Sequence, residues 1–268
     1  MPRVADLVPP LLARSLAAWR GGGNVLQGVY ATWAEAAHAG TAYSAAEILS
    51  RVEHAALQVE RGEAAFERDS IAFPTMEWPF PLLAALLRAA ARAGGRLNVL
   101  DFGGSLGSTY RQCREFLSVV TSLRWSVVEQ PHYVERGRAS FQTDELRFHR
   151  DLDESVREAA PDVVLASGVL QYLENPYRVL DEFRALGART IVIDRTPWVE
   201  EPDDIITLQV VPPEIFRARL PFRIFGRERL TSRLSPRYDT VAEFQAIDPD
   251  MHLGRVRVRF GGWVLESR

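Results

Sequence analysis

The chain of 268 residues is long enough for one large α/β domain with an appended segment, and its 47% apolar and 25% charged content is ordinary for a globular protein. The net charge of −3 gives no overall attraction to nucleic acid, although all 32 basic residues are arginine. The single cysteine, Cys113, excludes an internal disulfide framework and a multi-cysteine metal site. No clean signal peptide or membrane-length apolar run is present, so we expect a cytoplasmic protein without a metal centre.

The first third of the chain is predicted to form a mostly helical N-terminal cap. Apolar residues recur at helical spacing from Ile48 to Val59, and a second helix is predicted over Leu82–Ala93, before a glycine pair that ends it. We therefore divide the chain into a cap or lid segment, residues 1–96, and an α/β domain, residues 97–268.

Residues 67–81, between these two helices, are rich in aromatic residues and proline, which favours an ordered loop over a regular element. The loop begins with the charged triplet Glu67, Arg68 and Asp69. Such a triplet is either a solvated turn or part of a loop that closes over a ligand. We take the three residues as candidate substrate contacts.

The segment L-N-V-L-D-F-G-G-S-L-G-S, residues 97–108, predicts a buried strand, a glycine-rich loop and the beginning of a helix. Glycine lets backbone N–H groups approach a ligand closely, and ligands of open α/β sheets bind beyond the carboxyl ends of the strands. The segment therefore predicts a cofactor loop. Its candidate contacts are Asp101, Gly103, Gly104, Ser105 and Gly107.

The loop differs from two common nucleotide motifs. A dinucleotide motif G-x-G-x-x-G that began at Gly103 would need glycine where the chain has Ser105 and Ser108. A P-loop is excluded because the chain contains no lysine. What remains, D-x-G-x-x-x-G, is similar to the first motif of class I S-adenosylmethionine-dependent methyltransferases, although a purely structural glycine turn would look the same.

Three later strand ends supply further candidates. A carboxylate at Glu129, after W-S-V-V, is placed to accept hydrogen bonds from both ribose hydroxyls, unless it is a surface acid. Asp151 follows a short strand, Leu146–His149, and either contacts an exocyclic amine such as that of adenine or caps the next helix. Ser167 ends the buried strand Val163–Ala166. The predicted cofactor contacts at these ends are Glu129, Gln130, Asp151, Leu152 and Ser167.

The alternation of strands and helices continues to Asp194, at the end of a strand over Thr190–Ile193, and predicts right-handed βαβ units in a mostly parallel sheet. Two runs near the C-terminus, Tyr238–Ile247 and Arg255–Leu265, suit an antiparallel edge hairpin. Seven arginines lie within residues 217–237. They form a solvated face or, if they line the cleft, favour an anionic acceptor such as a phosphorylated or acidic sugar.

Several motifs occur in order along most of the chain. They are E-R-D-S-I-A-F (67–73), D-F-G-G-S-L-G-S-T-Y (101–110), V-V-E-Q (127–130), S-G-V-L-Q-Y-L-E-N-P-Y (167–177), I-V-I-D-R-T-P (191–197) and Q-V-V-P-P (209–213). Together they resemble a bacterial family of methyltransferases often encoded with genes for surface polysaccharide synthesis.

The resemblance implies an α/β fold of the Rossmann-like class I methyltransferase type and S-adenosylmethionine as the cofactor, but it supplies no substrate. It places the glycine loop at the methionine and ribose part of the cofactor, Glu129 at the ribose, Asp151 with Leu152 at the adenine, and residues 167–171 beside the methyl group and the substrate. Ser105 departs from the usual middle glycine, and it fits if the backbone there needs no positive φ.

Methyl transfer requires an aligned nucleophile and, for a hydroxyl, a base that removes its proton. We take Asp194, His132 and Tyr172 as candidate catalytic residues and prefer Asp194, which ends a strand at the correct edge of the sheet. His132 is equally explained as a water-facing residue at the beginning of a helix, and Tyr172 as a core residue. Further candidate substrate contacts are Tyr110, Gln171 and Arg195.

Three functions are compatible with these observations. The first is a methyltransferase acting on a hydroxyl or amine of a sugar, glycan or other small molecule. The second is a nicotinamide-dependent oxidoreductase, which Ser105 and Ser108 disfavour. The third is a catalytically silent binding protein that has kept the fold, because a fold does not prove a function.

Overall fold

A mixed sheet of eleven strands forms the centre of the computed structural model, which describes residues 25–41, 45–211 and 218–268. The described strands are β1 (Val25–Tyr30), β2 (Phe66–Arg68), β3 (Ile71–Phe73), β4 (Arg96–Phe102), β5 (Ser122–Val128), β6 (Leu146–His149), β7 (Val163–Ser167), β8 (Thr190–Val199), β9 (Ile205–Val211), β10 (Ala218–Gly226), β11 (Tyr238–Gln245), β12 (Met251–Leu253) and β13 (Val256–Ser267).

Helices cover both faces of this sheet. The described helices are α1 (Trp33–Ala39), α2 (Ala45–Glu60), α3 (Phe80–Arg92), α4 (Ser108–Leu117), α5 (Pro131–Ser140), α6 (Leu152–Glu158), α7 (Pro176–Leu186) and α8 (Arg227–Ser232), with a 3₁₀ turn at Leu170–Tyr172. Among these helices, none is long and apolar enough to cross a membrane.

The central strands are parallel in the order β6–β5–β4–β7–β8, and β13 pairs with β8 antiparallel and continues to β11 and β12. The predicted α/β fold, with a mostly parallel sheet and an antiparallel C-terminal hairpin, is therefore confirmed. Crossover helices connect these parallel strands. Because the strands are parallel, the carboxyl ends of β4, β5, β7 and β8 lie at one edge of the sheet.

The central strands are apolar on both faces because each face packs against helices. One face packs with α3, α4 and α5 around Trp125 and Leu86. The other packs with α7 and α8 around Phe183 and Trp263. All four side chains are at most 1% exposed, so the strand ends that form the site rest on a rigid core.

The N-terminal segment is not only helical. β1 pairs antiparallel with β9 and so joins the main sheet, a contact that the division at residue 96 does not include. Part of the loop predicted over residues 67–81 is a hairpin, since β2 pairs with β3 around Asp69 (φ 51°) and Ser70 (φ 68°). Two left-handed residues are the geometry of a type I′ turn, which asparagine and glycine usually signal. The division into residues 1–96 and 97–268 stays a prediction.

β8 continues to Val199, beyond its predicted end at Ile193, and contains a bulge. Ile193 pairs with Trp263 and Thr196 with Gly261, so two residues of β8, Asp194 and Arg195, face the single Gly262 of β13. Arg195 has a positive φ of 53° at this point. A bulge re-aims side chains, and this one lies at the functional edge of the sheet.

We expect Gly137→Ala in α5 to lower the free energy of unfolding by roughly 1 kcal/mol or more. A Cβ at residue 137 would lie 2.5 Å from the ring of Phe148, a buried residue of β6. Alanine has a higher helix propensity than glycine by about 1 kcal/mol, and we expect the clash with Phe148 to outweigh this gain. Urea unfolding measures the change, with Ala139→Ser on the exposed face of α5 as the control. A Gly137→Ala variant more stable than the parent would contradict this packing.

Candidate functional site

A cavity of about 770 Å³ lies at the carboxyl ends of β4, β5, β7 and β8. The β2–β3 hairpin, the faces of β9 and β10, and residues 247–252 cover it. This volume is typical of small-molecule sites. The predicted site residues that line it are Glu67, Arg68, Asp69, Gly103, Gly104, Ser105, Glu129, Gln130, His132, Ser167, Gln171, Tyr172, Asp194 and Arg195.

Other predicted site residues do not line the cavity. Tyr110 is buried, and its hydroxyl donates a hydrogen bond to the Glu145 carboxylate over 2.7 Å. Its assignment as a substrate contact is therefore wrong, because the ring faces the core of α4 and β5 against Trp125. The apolar spacing of α4 carries no information on which aromatic side chain faces the ligand. Gly107 also lies outside the cavity lining and precedes the first residue of α4 with a φ of 92°.

Asp151 is the N-cap of α6. Its Oδ1 accepts a hydrogen bond from the backbone N–H of Glu154 over 2.7 Å. Neither Asp151 nor Leu152 lines the cavity. The capping alternative is therefore confirmed, and this placement gives the adenine contact no support.

Asp101 lies beneath the glycine loop rather than in the cavity. Its Oδ2 accepts a hydrogen bond from the indole N–H of Trp125 over 2.9 Å, and burial raises the pKa of Asp101 to about 7. A Cβ at Gly104 would lie 2.4 Å from this carboxylate. Asp101 thus supports the loop from the core side, and it requires glycine at position 104.

The glycine loop turns through left-handed backbone at Gly103 (φ 73°), Ser105 (φ 55°) and Gly107 (φ 92°). The condition under which serine fits without strain is therefore not met, because Ser105 adopts the left-handed backbone that a glycine would adopt. A left-handed conformation costs an L-residue roughly 1–2 kcal/mol. At Gly103, a Cβ would also lie 2.3 Å from a methyl group of Val169. The loop therefore presents bare backbone to the cavity.

The Glu129 carboxylate faces the cavity beside this loop. Its Oε2 accepts a hydrogen bond from the backbone N–H of Gln130 over 2.7 Å, and the backbone N–H of Ser105 favours the ionised form of the same carboxylate. Burial raises the pKa of Glu129, whereas the two N–H groups act against the rise. Two strand ends thus hold this acid at the predicted ribose position.

Glu67 is a buried carboxylate, 3% exposed, on β2. The hydroxyl of Ser108, the first residue of α4, donates a hydrogen bond to its Oε1. Its Oε2 is buried and has no hydrogen-bond partner among the described residues. Burial raises the pKa of Glu67 to about 7, against the effects of Ser108 and Arg111.

The bulge of β8 directs Asp194 into the cavity. Its Oδ1 accepts a hydrogen bond from the backbone N–H of Arg195 over 2.8 Å, and its Oδ2 from the Ser167 hydroxyl over 3.3 Å. Burial raises the pKa of Asp194 to about 6, and the nearby Asp248 adds to the rise. Asp194 is thus a buried carboxylate that changes charge close to neutral pH.

Arg195 joins three separate segments across the cavity. Its Nη2 donates to Asp69 of the β2–β3 turn over 2.6 Å, and its Nε donates to Asp248 over 2.9 Å. We name Asp69, Arg195 and Asp248 the ion cluster. Sequence reasoning missed Asp248, since an acid in an irregular segment far along the chain carries no signal of its own.

A second polar group lies beside the ion cluster. The Tyr172 hydroxyl donates to Gln209 Oε1 over 2.8 Å, and its ring meets Phe222 edge-on. Gln171 Nε2 donates to the carbonyl of Arg195 over 3.4 Å, while its buried Oε1 has no partner among the described residues. Gln209 was not predicted, although it begins the motif Q-V-V-P-P. The wall thus offers hydrogen-bond acceptors next to an aromatic pair.

The arginines of residues 217–237 do not give the cavity a positive wall. Arg217 lies outside the described residues, and the other six are absent from the cavity lining. Four of them pair with carboxylates elsewhere: Arg223 with Asp204, Arg227 with Glu243, Arg229 with Asp203 and Arg233 with Asp181. The solvated-face interpretation fits Arg227, Arg229 and Arg233, whereas Arg223 forms a buried ion pair outside the cavity, so none of these four supports an anionic acceptor.

No protein-family model matches the chain, and no curated protein matches it. Solved structures do show similarity. The N-terminal domain of EvdMO1, crystallised with SAH and D-fucose, is 15% identical, with 84% of this chain and 98% of that chain covered and a TM-score of 0.45.

Two further structures are similar. An S-adenosylmethionine-dependent methyltransferase from Clostridium acetobutylicum is 9% identical, over 69% of this chain and 90% of that chain, with a TM-score of 0.44. The 1,6-didemethyltoxoflavin-N1-methyltransferase from Burkholderia thailandensis is 17% identical, over 85% and 91%, with a TM-score of 0.40. At such scores the likeness assigns no substrate, and the functional argument rests on the site.

We expect Ser105→Gly to raise the free energy of unfolding by roughly 0.5 kcal/mol. Glycine removes the strain of the left-handed backbone, which stabilises the folded state. It also increases the conformational entropy of the unfolded chain, which cancels part of that gain. Ser140→Gly, at the last residue of α5, is the matched control and should lower stability by about 0.5–1 kcal/mol. Urea unfolding of both variants measures the difference, and equal losses would contradict the strained loop.

Proposed function

We propose that the chain is an S-adenosylmethionine-dependent methyltransferase that acts on a hydroxyl or amine of a sugar, glycan or other small molecule. One observation carries the proposal: the Glu129 carboxylate is held by backbone N–H groups beside a bare, left-handed glycine loop, and both face a cavity of about 770 Å³. A carboxylate so placed accepts the two hydroxyl hydrogens of a ribose.

The residues present fit this cofactor. Gly103 and Gly104 line the cavity and offer only backbone to a ligand, and neither position has room for a Cβ, which would meet Val169 or Asp101. Glu129 would hold the ribose, and the backbone of residues 103–105 would lie along the ligand. Ser167 and Gln171 would face its methyl end.

A dinucleotide fits less well. In such sites the pyrophosphate lies at the N-terminus of the helix that follows the glycine loop. Here the Glu67 carboxylate is bonded to Ser108, the first residue of that helix, α4. A pyrophosphate at this place would meet a buried carboxylate, and the repulsion disfavours a nicotinamide cofactor.

When bound, S-adenosylmethionine supplies a methyl group on a sulfonium, and this group passes to the acceptor as the carbon–sulfur bond breaks. Asp194 is placed to accept the proton that the acceptor oxygen or nitrogen loses. Its raised pKa keeps the carboxylate basic enough for this role near neutral pH. The ion cluster and Tyr172 border the same part of the cavity and would orient the acceptor. His132 lines the cavity too and stays a second candidate base.

Two further predictions belong to this proposal, namely a role in surface polysaccharide synthesis and a cytoplasmic location.

Calorimetric titration tests the cofactor. We expect micromolar binding of S-adenosylhomocysteine and no binding of NADH at the same concentration. Glu129→Ala removes charged hydrogen bonds to the ribose and should weaken S-adenosylhomocysteine by about 10- to 100-fold. Glu135→Ala, an exposed acid of α5, should leave the affinity unchanged.

The titration has clear contrary outcomes. Binding of NADH alone would overturn the methyltransferase proposal. Binding of neither ligand would favour the silent-scaffold hypothesis. Equal affinities of the parent and Glu129→Ala would mean that the ribose lies elsewhere.

We expect methyl transfer to rise with pH through about 6, because Asp194 accepts a proton only when it is ionised and burial raises its pKa to about 6. Below that pH the protonated acid is inactive. Asp194→Asn should lower kcat by about 10²- to 10⁴-fold while the affinity for S-adenosylhomocysteine changes less than about threefold. The measurement uses an acceptor found by screening sugars and amines. An unchanged kcat and pH profile in Asp194→Asn would rule out Asp194 as the base.

A further inference from the structure

We infer that Glu67 binds the α-ammonium group of the methionine part of the cofactor, so that the β2–β3 hairpin belongs to the cofactor site. The inference rests on the proposed function and changes the predicted role of Glu67, which the sequence places among the substrate contacts. It depends on an unsatisfied buried carboxylate oxygen and on the position of that oxygen along the sheet edge.

Only one of the two carboxylate oxygens of Glu67 has a hydrogen-bond partner among the described residues. Oε1 of Glu67 is bonded by the Ser108 hydroxyl, whereas Oε2 is buried, faces no donor among the described residues and belongs to a side chain that lines the cavity. A buried carboxylate without a partner is costly, so this atom is suited to a ligand that brings a donor. A cationic donor would offset both the missing hydrogen bond and the buried charge.

The position of Glu67 along the sheet edge also fits the α-ammonium group. The strands run in the order β6–β5–β4, Glu129 marks the ribose at the end of β5, and α4 begins after β4. The cavity extends from Glu129 to Glu67 and Ser108, so a nucleoside held at Glu129 can send its 5′ substituent towards β4 and α4. Glu67 lies there, at the first residue of α4. On S-adenosylmethionine, the only hydrogen-bond donor beyond the 5′ carbon is the α-ammonium.

The charges at and beside Glu67 fit the zwitterionic amino acid of the cofactor. The N-terminus of α4, a helix of ten residues, carries partial positive charge and favours the ionised form of Glu67. Arg68, the next residue, lines the same cavity and provides a cation for the carboxylate of the amino acid. The hairpin therefore offers charges of both signs to a zwitterion.

Calorimetric titration of the full chain with two commercial nucleosides tests the inference. S-adenosylhomocysteine carries the amino acid, and 5′-methylthioadenosine has the same nucleoside without it. We expect Glu67→Gln to weaken S-adenosylhomocysteine by about tenfold or more and to leave 5′-methylthioadenosine within about twofold. Glutamine keeps an acceptor for Ser108, and thermal unfolding verifies that the variant is folded. Glu63→Gln, an exposed residue four positions away, is the control and should change neither affinity.

The outcomes separate this inference from the proposed function. If the parent binds S-adenosylhomocysteine and Glu67→Gln binds it equally well, or loses both ligands equally, the inference is wrong and the methyltransferase proposal stands. If the parent binds neither nucleoside, the proposed function fails first.

A measurement on the unmodified chain needs no variant to fold. The analogue of S-adenosylhomocysteine that lacks the α-amino group should bind about tenfold or more weakly than S-adenosylhomocysteine itself. Equal affinities of these two ligands for the parent would overturn the inference.

Discussion

The carboxylate of Asp101 under the glycine loop connects the core of the sheet to the site. It is 1% exposed, and it accepts a hydrogen bond from the indole N–H of Trp125 on β5. That bond ties the ends of β4 and β5 together, and the same carboxylate fills the space where Gly104 would otherwise carry a side chain. The shape of the loop thus depends on a residue that no ligand needs to touch.

Buried carboxylates with raised pKa values extend from Asp101 under the loop to the cavity. Burial raises the pKa of Asp101 and Glu67 to about 7 and that of Asp194 to about 6. Strongly perturbed acids that converge on one cavity are typical of functional sites, because a core selected for stability alone would pair or remove them. Arg195 opposes the rise in the pKa of Asp194 and also forms ion pairs with Asp69 and Asp248, which belong to two covering segments. The covering segments are therefore held by the same electrostatics that the site uses.

The sequence predicted the framework well and the covering segments poorly. Apolar runs gave β6 with the residues that the structure has and β7 to within one residue, because local periodicity decides such elements. Glu129 was found because its place after a strand is a local signal. The β2–β3 hairpin was missed because its turn residues, Asp69 and Ser70, adopt a left-handed backbone conformation that their residue types do not predict.

Contacts between distant segments were beyond the sequence. Asp248 reaches Arg195 across 53 residues, and Gln209 reaches Tyr172 across 37, and no spacing rule links either pair. The bulge that directs Asp194 into the cavity depends on one residue, Gly262, on a strand that follows much later. These features are visible only in the folded sheet, whereas the ends of the strands can be predicted from the amino-acid sequence.

The charges of the lining revise what kind of acceptor the cavity suits. Arg68 and Arg195 are the lining arginines among the described residues, and the ion cluster already uses Arg195 for two carboxylates. The lining acids are Glu67, Asp69, Glu129, Asp194, Asp248 and Asp250. A cleft with this excess of negative charge focuses a field that repels anions. Gln171 adds a buried acceptor oxygen without a donor among the described residues. An acceptor that brings hydroxyl or amine hydrogens matches this wall, whereas a phosphorylated or acidic sugar would add negative charge where the lining acids already outnumber the lining arginines among the described residues.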